Sequence, residues 1–400
     1  MNTPYFVIHE EKLQSNIDNF KSALLKNWSN SRLCYSVKTN SLPWVLKYMD
    51  KQEIYLEVVS DEEYALAIAL GIKDSHIVFN GPIKGEEAFK RAAQLGAIIN
   101  LDSKSDVEYL KRYREYICPE LIGVRINVPT QLFDVNDIGY ADDGFRFGFS
   151  DKTGELQSVF EEISKFFPTS RIGLHLHINS VTRGIAVYRS VAKYVSEIIR
   201  KYELSVSFID IGGGFFGGVE GKPSGDDYIV AIKNEIADTI DVKNVKLLIE
   251  PGTAIIGSAA DLVTSVLDVK KTDRATIVTT DGSRIHIDPL WKKNSYSYSI
   301  KGRANYTIRH KEEKQIICGY TCMDHDRIMT LSNEKALSAG DNIVYKRVGA
   351  YTMTFGGAFI RYFPDVYVEK NNEYMCIRDA ITTDDYIHIN TEKREGRHNA

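Results

Sequence analysis

Leu33-Cys34-Tyr35-Ser36-Val37-Lys38-Thr39-Asn40 reads as a short buried strand, Leu33 to Val37, that ends in a lysine. A strand interior is a poor place for an ammonium, because desolvation disfavours the charged form and draws a lysine pKa down. A neutral amine at the C-terminal end of a strand is a nucleophile suited to forming a Schiff base with an aldehyde. The other reading is a lysine that leaves the sheet and snorkels into water. Residues further along the chain decide between the two.

Working outward, short apolar runs recur from this stretch to about Val266, mostly with helical periodicity between them. The runs are Cys34–Val37, Leu56–Val59, His76–Asn80, Ala97–Leu101, Leu121–Asn127, Ile172–Ile178, Ser207–Ile211 and Lys246–Glu250. This pattern predicts an α/β fold, a (β/α)8 TIM-type barrel over residues 27–265. A doubly wound sheet would give a similar string. After about residue 266 the grammar changes. Asp268–Val278, Ile316–Ile328, Asp341–Tyr345, Asp365–Glu369 and Tyr374–Ile377 are strand-like with turns between them. They predict a C-terminal, mostly antiparallel β domain of residues 266–400. Residues 1–26 are assigned to it as well: a strand over residues 4–9, then an amphipathic helix from Glu10 to Lys26 carrying Leu13, Ile17, Phe20 and Leu24. The tail from Thr391 to Ala400 is polar and expected to fray.

Composition narrows the function. Of 400 residues, 43% are hydrophobic and 26% charged, the balance of a soluble globular chain. A formal net charge of −4 gives no reason to expect nucleic acid or an anionic membrane surface. No apolar run is long enough to span a bilayer, and Met1-Asn2-Thr3-Pro4 does not open like a signal peptide. The five cysteines, Cys34, Cys118, Cys318, Cys322 and Cys376, are odd in number and scattered, which points to a reducing cytoplasm rather than a disulfide framework. Cys318-x3-Cys322 alone does not make a metal site, and none is expected.

In a barrel, chemistry gathers where strands end. Gly212-Gly213-Gly214 follows Ile209-Asp210-Ile211. Three glycines let a backbone turn tightly and present N–H groups to an anion. The stretch is neither Gly-x-Gly-x-x-Gly nor followed by Gly-Lys-Ser/Thr, so dinucleotide and Walker readings fit poorly. Glu250 ends an apolar run, where a carboxylate needs a partner. A protonated pyridine nitrogen would serve, and so would an arginine or lysine. His177 is either a satisfied core residue or a ring that stacks on a flat ligand.

Taken in order, these parts resemble the fold-type III pyridoxal-phosphate decarboxylases, the diaminopimelate and ornithine decarboxylase group. The similar stretches are Tyr35-Ser36-Val37-Lys38-Thr39-Asn40, Glu57-Val58-Val59-Ser60-x-x-Glu63, Phe79-Asn80-Gly81-Pro82-x-Lys84 and Gly173-Leu174-His175-Leu176-His177-Ile178-x-Ser180. Further on come Asp210-Ile211-Gly212-Gly213-Gly214-Phe215, Glu250-Pro251-Gly252, Thr321-Cys322-x-x-x-Asp326 and Gly349-Ala350-Tyr351-Thr352.

The resemblance implies a head-to-tail homodimer in which each active site is completed by the other protomer. Lys38 would hold pyridoxal phosphate as a Schiff base. His177 would stack on its ring. Ser180, Gly212, Gly213, Gly214 and Tyr351 would hold the phosphate, and Glu250 would keep the ring nitrogen protonated so that the ring acts as an electron sink. Cys322, from the partner, would guide the proton that replaces carbon dioxide.

The departures bear on the substrate. In the family a carboxylate usually follows the cysteine; here the residue is Met323. Asp324 comes one position later and would face the other way if the segment is extended. Arg146 is a further candidate substrate contact. Thr253 stands where an arginine is usual, Asp288-Pro289-Leu290-Trp291 where an arginine-bearing segment is usual, and Asn179 where glycine is usual. Arg284, His286, Lys292 and Lys293 lie close enough in sequence to rebuild an anion site. These features predict a decarboxylase of a non-standard or conjugated L-amino acid in a specialised pathway. The alternatives are diaminopimelate, ornithine or lysine decarboxylation, and a non-catalytic regulatory relative.

Overall fold

A computed structural model describes residues 1–139, 144–167, 171–303 and 305–391; the polar tail expected to fray lies, past Thr391, outside them. The chain forms two compact units, one of Lys12–Ser258 and one of Met1–Glu11 with Ala259–Ala400. The helix Glu10–Asn27, placed with the β domain by its position in sequence, packs on the barrel instead. Its stripe of Leu13, Ile17, Phe20 and Leu24 is buried, and Phe20 meets Phe215 edge-on at 5.7 Å between ring centres.

After β1 (Tyr5–His9) come the barrel strands β2 (Ser31–Ser36), β3 (Tyr55–Val58), β4 (Ile77–Phe79), β5 (Ile98–Leu101) and β6 (Ile122–Asn127). The two-residue β7 (Phe149–Ser150) pairs only with β6, and β8 (Gly173–Leu176), β9 (Phe208–Ile211) and β10 (Lys246–Ile249) complete the ring. All pairs are parallel, and β10 bonds to β2 while β5 bonds to β6, so the sheet closes on itself. Each of the eight runs read from the sequence overlaps one of these strands. Helices such as Asp61–Ala69, Lys104–Tyr113 and Gly225–Ile236 separate them, and Ser60, Ser103 and Ser224 cap those three by accepting a backbone N–H.

The barrel interior follows from the two-residue period of a strand. Cys34, Val78, Ile98, Phe208 and Leu248 form one buried apolar cluster, with Tyr55 packed on it. Gly173 makes room for the Phe208 ring, since a Cβ there would sit 2.2 Å from it. Two residues further along each of these strands lies a polar side chain: Ser36, Glu57, Asn80, Asn100, Asp210 and Glu250, with His175 two beyond Gly173. The lower layer is a plug; the upper layer holds the chemistry.

The second unit is built on β11 (Ala260–Lys271), β12 (Thr276–Thr280), β13 (Tyr298–Lys301), β14 (Lys311–Cys318), β15 (Arg327–Lys335), β16 (Asn342–Tyr345), β17 (Asp365–Lys370) and β18 (Glu373–Arg378). They form a mostly antiparallel sheet with β1, in the order β15-β14-β12-β11-β1-β17-β18, and β16 joins β11 to β13. Among the described strands of this sheet, only β1–β17 and β12–β14 pair in parallel. The strand expected to begin at Asp268 begins at Ala260 and turns back at Thr272, whose N–H and Oγ1 both bond the Ala275 carbonyl.

Candidate active site

Lys38 does not end a strand directly. It sits in a single 3-10 turn, Val37–Thr39, after β2. Its ammonium is also not alone among apolar groups. Lys38 Nζ donates to Glu57 Oε2 at 2.7 Å and to Ser36 Oγ at 2.7 Å, while Ser36 Oγ donates to the same Glu57 oxygen at 2.6 Å. Burial pushes the Glu57 carboxyl up, but Lys38 and hydrogen bonds from Ser36 and Asn80 outweigh it and hold the group below its usual range. The surroundings differ from the apolar strand end expected: the Lys38 side chain is 40% exposed and keeps a buried anion within reach.

The upper layer continues across the barrel. Asn80 Nδ2 donates to Glu250 Oε1 at 2.6 Å and to Glu57 Oε1 at 3.1 Å. Asn100 Nδ2 donates to Asn80 Oδ1 at 2.7 Å and to Asp210 Oδ2 at 2.8 Å. Burial, and then the charge of Asp210, pushes the Glu250 carboxyl far up, and burial raises Asp210 as well. His175 lies 3.7 Å from Glu250, and one side-chain nitrogen or oxygen from each of His175, Asp210 and Glu250 lies within 4.8 Å of the other two. Burial holds both histidines neutral: His175 is pushed far down, and His177 to about 3, with Arg125 and Lys38 adding repulsion.

Gly212, Gly213 and Gly214 leave β9 where any side chain would collide. A Cβ on Gly212 would lie 2.3 Å from the His177 ring, and one on Gly213 would lie 2.5 Å from the Glu250 carbonyl oxygen. Gly214 has φ +92°, a left-handed conformation that glycine adopts freely. Tyr188 stacks on Phe215 at 4.5 Å and donates to the Gly213 carbonyl at 3.0 Å, which fixes the loop. The Ser180 hydroxyl donates to the Asp137 carbonyl and accepts from the Arg183 N–H at 2.9 Å. Arg146 is exposed, with its guanidinium 4.2 Å from the Phe147 ring; Arg125, paired with Asp102 at 2.6 Å, lies 4.5 Å from the same ring.

In the β domain, Cys322, Met323 and Asp324 belong to a turn between β14 and β15, not to an extended segment, so strand alternation does not decide where Asp324 points. The buried Asp326 carboxylate organises the turn, accepting from Thr321 Oγ1 at 2.7 Å, Ser283 Oγ at 2.9 Å and the Arg284 N–H at 3.0 Å. Cys322 is a free, exposed thiol. Tyr351 holds φ +56° after Gly349-Ala350. The anticipated rebuilt anion site is largely taken up internally. Arg284 clasps Asp288 through Nε and Nη2 at 3.1 and 3.0 Å and covers the Trp291 ring. His286 is buried and pushed down to about 4 by desolvation.

Sequence reasoning assigned no role to His175, Asn100 or Asp210, and treated Glu57 and Asn80 only as motif. One signal was available: in strand after strand, a polar residue follows two positions after an apolar one at the same face.

A closed parallel barrel with a lysine at its mouth, a glycine turn and buried carboxylates is the frame of a pyridoxal enzyme. Residues 10–257 match the family described as pyridoxal-dependent decarboxylase, pyridoxal binding domain, and the chain belongs to that family. Its cofactor is pyridoxal phosphate. The chain is 25% identical over 359 residues to diaminopimelate decarboxylase of Archaeoglobus fulgidus, covering 87% of this chain and 83% of that one. It is 24% identical over 363 residues to the Staphylococcus aureus protein of the same name, covering 87% and 84%. Among solved structures, diaminopimelate decarboxylase from M. jannaschii in complex with L-lysine gives a TM-score of 0.80 at 21% identity, over 98% of this chain and 92% of that one. The Paramecium bursaria Chlorella virus arginine decarboxylase gives 0.74 at 19% identity, over 92% and 98%. At such identities the structural likeness is one of fold. No helix among the described residues is long and apolar enough to cross a membrane.

Proposed function

We propose that this pyridoxal-dependent decarboxylase acts on an L-amino acid with a charged far end, diaminopimelate being the first candidate. Whole-length similarity to proteins named diaminopimelate decarboxylase, over 87% of the chain, carries this reading. It favours the ordinary substrate over the specialised one that the sequence alone suggested. A specific observation keeps the second reading, a non-standard or conjugated amino acid. Met323 offers no charge, and Arg284 is neutralised by Asp288.

Pyridoxal phosphate, when bound, supplies an electron sink for the pair left at the α-carbon as carbon dioxide departs. Lys38 would hold it, and Glu57, 2.7 Å from Nζ, would take the proton that must leave the ammonium before the amine can attack. Glu250 would meet the ring nitrogen. The neutral His177 ring, packed by Gly212, would lie against the ring face, and the N–H groups of Gly213 and Gly214, with Ser180 and Tyr351, would receive the phosphate; the Gly212 N–H, expected to join them, donates instead to the Leu176 carbonyl at 3.0 Å. The donor set fits: two buried carboxylates, a glycine cradle that a Cβ would fill, and an unpartnered His177 Nδ1.

The remaining role falls to Cys322 of a second copy, whose exposed thiol suits delivery of a proton to the α-carbon. A homodimer with shared sites is part of this reading. So is a reducing, cytoplasmic setting, which the free cysteines suit. Carbon dioxide release from a panel of meso-diaminopimelate, lysine, ornithine, arginine and larger acyl derivatives tests the proposal. Turnover of diaminopimelate well above the rest supports the first reading, turnover of a derivative alone supports the second, and release from none rejects both.

A further inference from the structure

The upper layer of the barrel has an unbalanced charge count. Glu57 is matched by Lys38 at 2.7 Å, Asp102 by Arg125 at 2.6 Å and Asp106 by Lys84 at 2.8 Å. Asp210 and Glu250 face each other with no cation of their own among the described residues. Around them stand Cys34 on β2, Lys38 after it, Glu57 on β3, Arg125 on β6, His175 on β8 and His177 just beyond. The two lysine and arginine charges are already committed, and the histidines are neutral. Both carboxyls are nearly inaccessible, at 0% and 3% exposure. Asp210 Oδ1 has no hydrogen-bond partner unless the neighbouring carboxyl supplies a proton. Two bare carboxylates in a dry site cannot both ionise at low cost, so one proton belongs to the pair.

We infer that Asp210 is a positioning residue that keeps a shared proton on Glu250 in the cofactor-free protein, and that the pair gives up this one proton as it comes to face a protonated ring nitrogen. The carboxyl O–H bond breaks, and the proton serves the ring nitrogen if that nitrogen arrives bare or leaves to solvent if it arrives as the pyridinium, with no redox change. The pair goes from one negative charge to two and faces one positive charge on the ring, so the net charge of the site is constant. Asn100 and Asn80 donate to the two carboxylates that result, at 2.8 and 2.6 Å. The inference rests on the cofactor placement proposed above.

The test counts protons. Full-length protein stripped of cofactor is titrated with pyridoxal phosphate by calorimetry in buffers of different ionisation enthalpy, for the wild type, Glu250→Gln and Asp210→Asn. The 15N shift of the labelled ring nitrogen in each loaded protein reports its protonation. Proton exchange from the Lys38 linkage and the phosphate is common to all three. The wild type should match Glu250→Gln in net uptake, although only its ring nitrogen is protonated. Asp210→Asn should take up about one proton more, because Glu250 beside a neutral amide is ionised beforehand. Uptake in the wild type about one proton above Glu250→Gln would overturn the inference, and so would equal uptake in Asp210→Asn and the wild type. If Asp210→Asn does not fold, the first comparison still decides. An unchanged 15N shift in Glu250→Gln would instead reject the placement of Glu250 at the ring nitrogen, and the inference with it.

Discussion

The upper layer of the barrel and the Cys322 turn are both held by buried carboxylates, but they commit their side chains differently. In the barrel, Ser36, Glu57, Asn80, Asn100, Asp210 and Glu250 are each buried to 5% exposure or less, and each one bonds another. Changing one alters the protonation or orientation of its neighbours. In the turn, Asp326 fixes the backbone, while Cys322, Asp324 and His325 leave their side chains exposed. A side chain there can be exchanged without disturbing the frame. Chemistry that depends on coupled groups belongs in the first kind of region, and substrate choice is easily adjusted in the second.

The comparison breaks most visibly at Lys38. Lys38→Ala is expected to remove the visible absorbance of bound cofactor and to bring carbon dioxide release to background. It also leaves the buried Glu57 without its cation, although the Lys38 side chain is itself 40% exposed, so the protein should melt somewhat earlier. A yellow, active Lys38→Ala protein would remove the lysine from the mechanism. Cys322→Ala is the contrasting case. It should keep the cofactor spectrum and the melting temperature while turnover falls by roughly 10²-fold or more, the usual scale for a positioned proton donor. Mixed with Lys38→Ala protein under conditions that exchange subunits, it should regain part of the activity, since one hybrid site holds both residues. No recovery would argue against a shared site.

How far each region was legible in the sequence follows from the same difference. The barrel could be read because parallel strands buried on both faces appear as continuous apolar runs, and all eight runs overlap a strand. Lys38, His177 and Glu250 stood out as polar groups where such runs end. Asn100 and Asp210 did not, because a polar residue inside a strand reads as an interruption until the ring of strands brings Asn100 Nδ2 to Asp210 Oδ2 across a separation of 110 residues. The pairing of Arg284 with Asp288 was hidden for another reason. Residues four apart meet only if the segment is helical, and Arg284–Ile287 is a single short turn with no periodic signal. The Cys322 segment read as extended because β14 and β15 flank it closely, whereas Asp326 bends it into a turn.

Met323→Glu sharpens the comparison at an intermediate size. A carboxylate at this partly exposed site should leave stability within about 0.5 kcal/mol, as surface changes usually do. If the turn meets the far ammonium of a substrate, the added charge-assisted hydrogen bond contributes about 1.5–3 kcal/mol. That amounts to roughly ten- to a hundred-fold or more in kcat/KM for lysine, ornithine or diaminopimelate. Equal kcat/KM in the two proteins for all three substrates would place position 323 away from the substrate.

The smallest expected effect is a pH dependence of stability in the cofactor-free protein. Burial raises the Asp210 carboxyl to about 7, well above its unfolded value of about 3.9. Between those limits the folded chain keeps a proton that the unfolded chain has released, so this group makes stability fall as pH rises from about 4 to about 7. His177 acts oppositely. Its folded value of about 3 lies below the unfolded value of about 6.5, so the unfolded chain binds the extra proton and stability rises with pH over that range. In the wild type the two trends partly cancel. Asp210→Asn removes only the first, because an amide resembles the protonated carboxyl and never ionises. Near pH 4 the variant and wild type should therefore melt together, and towards pH 7 the variant should gain by a few degrees, about 2–4 °C for each kcal/mol in a unit of this size. Melting curves followed by circular dichroism across that range decide the matter. A difference between the two proteins that does not change with pH would mean that the Asp210 carboxyl is already ionised near pH 4, with the proton of the pair held by Glu250 alone.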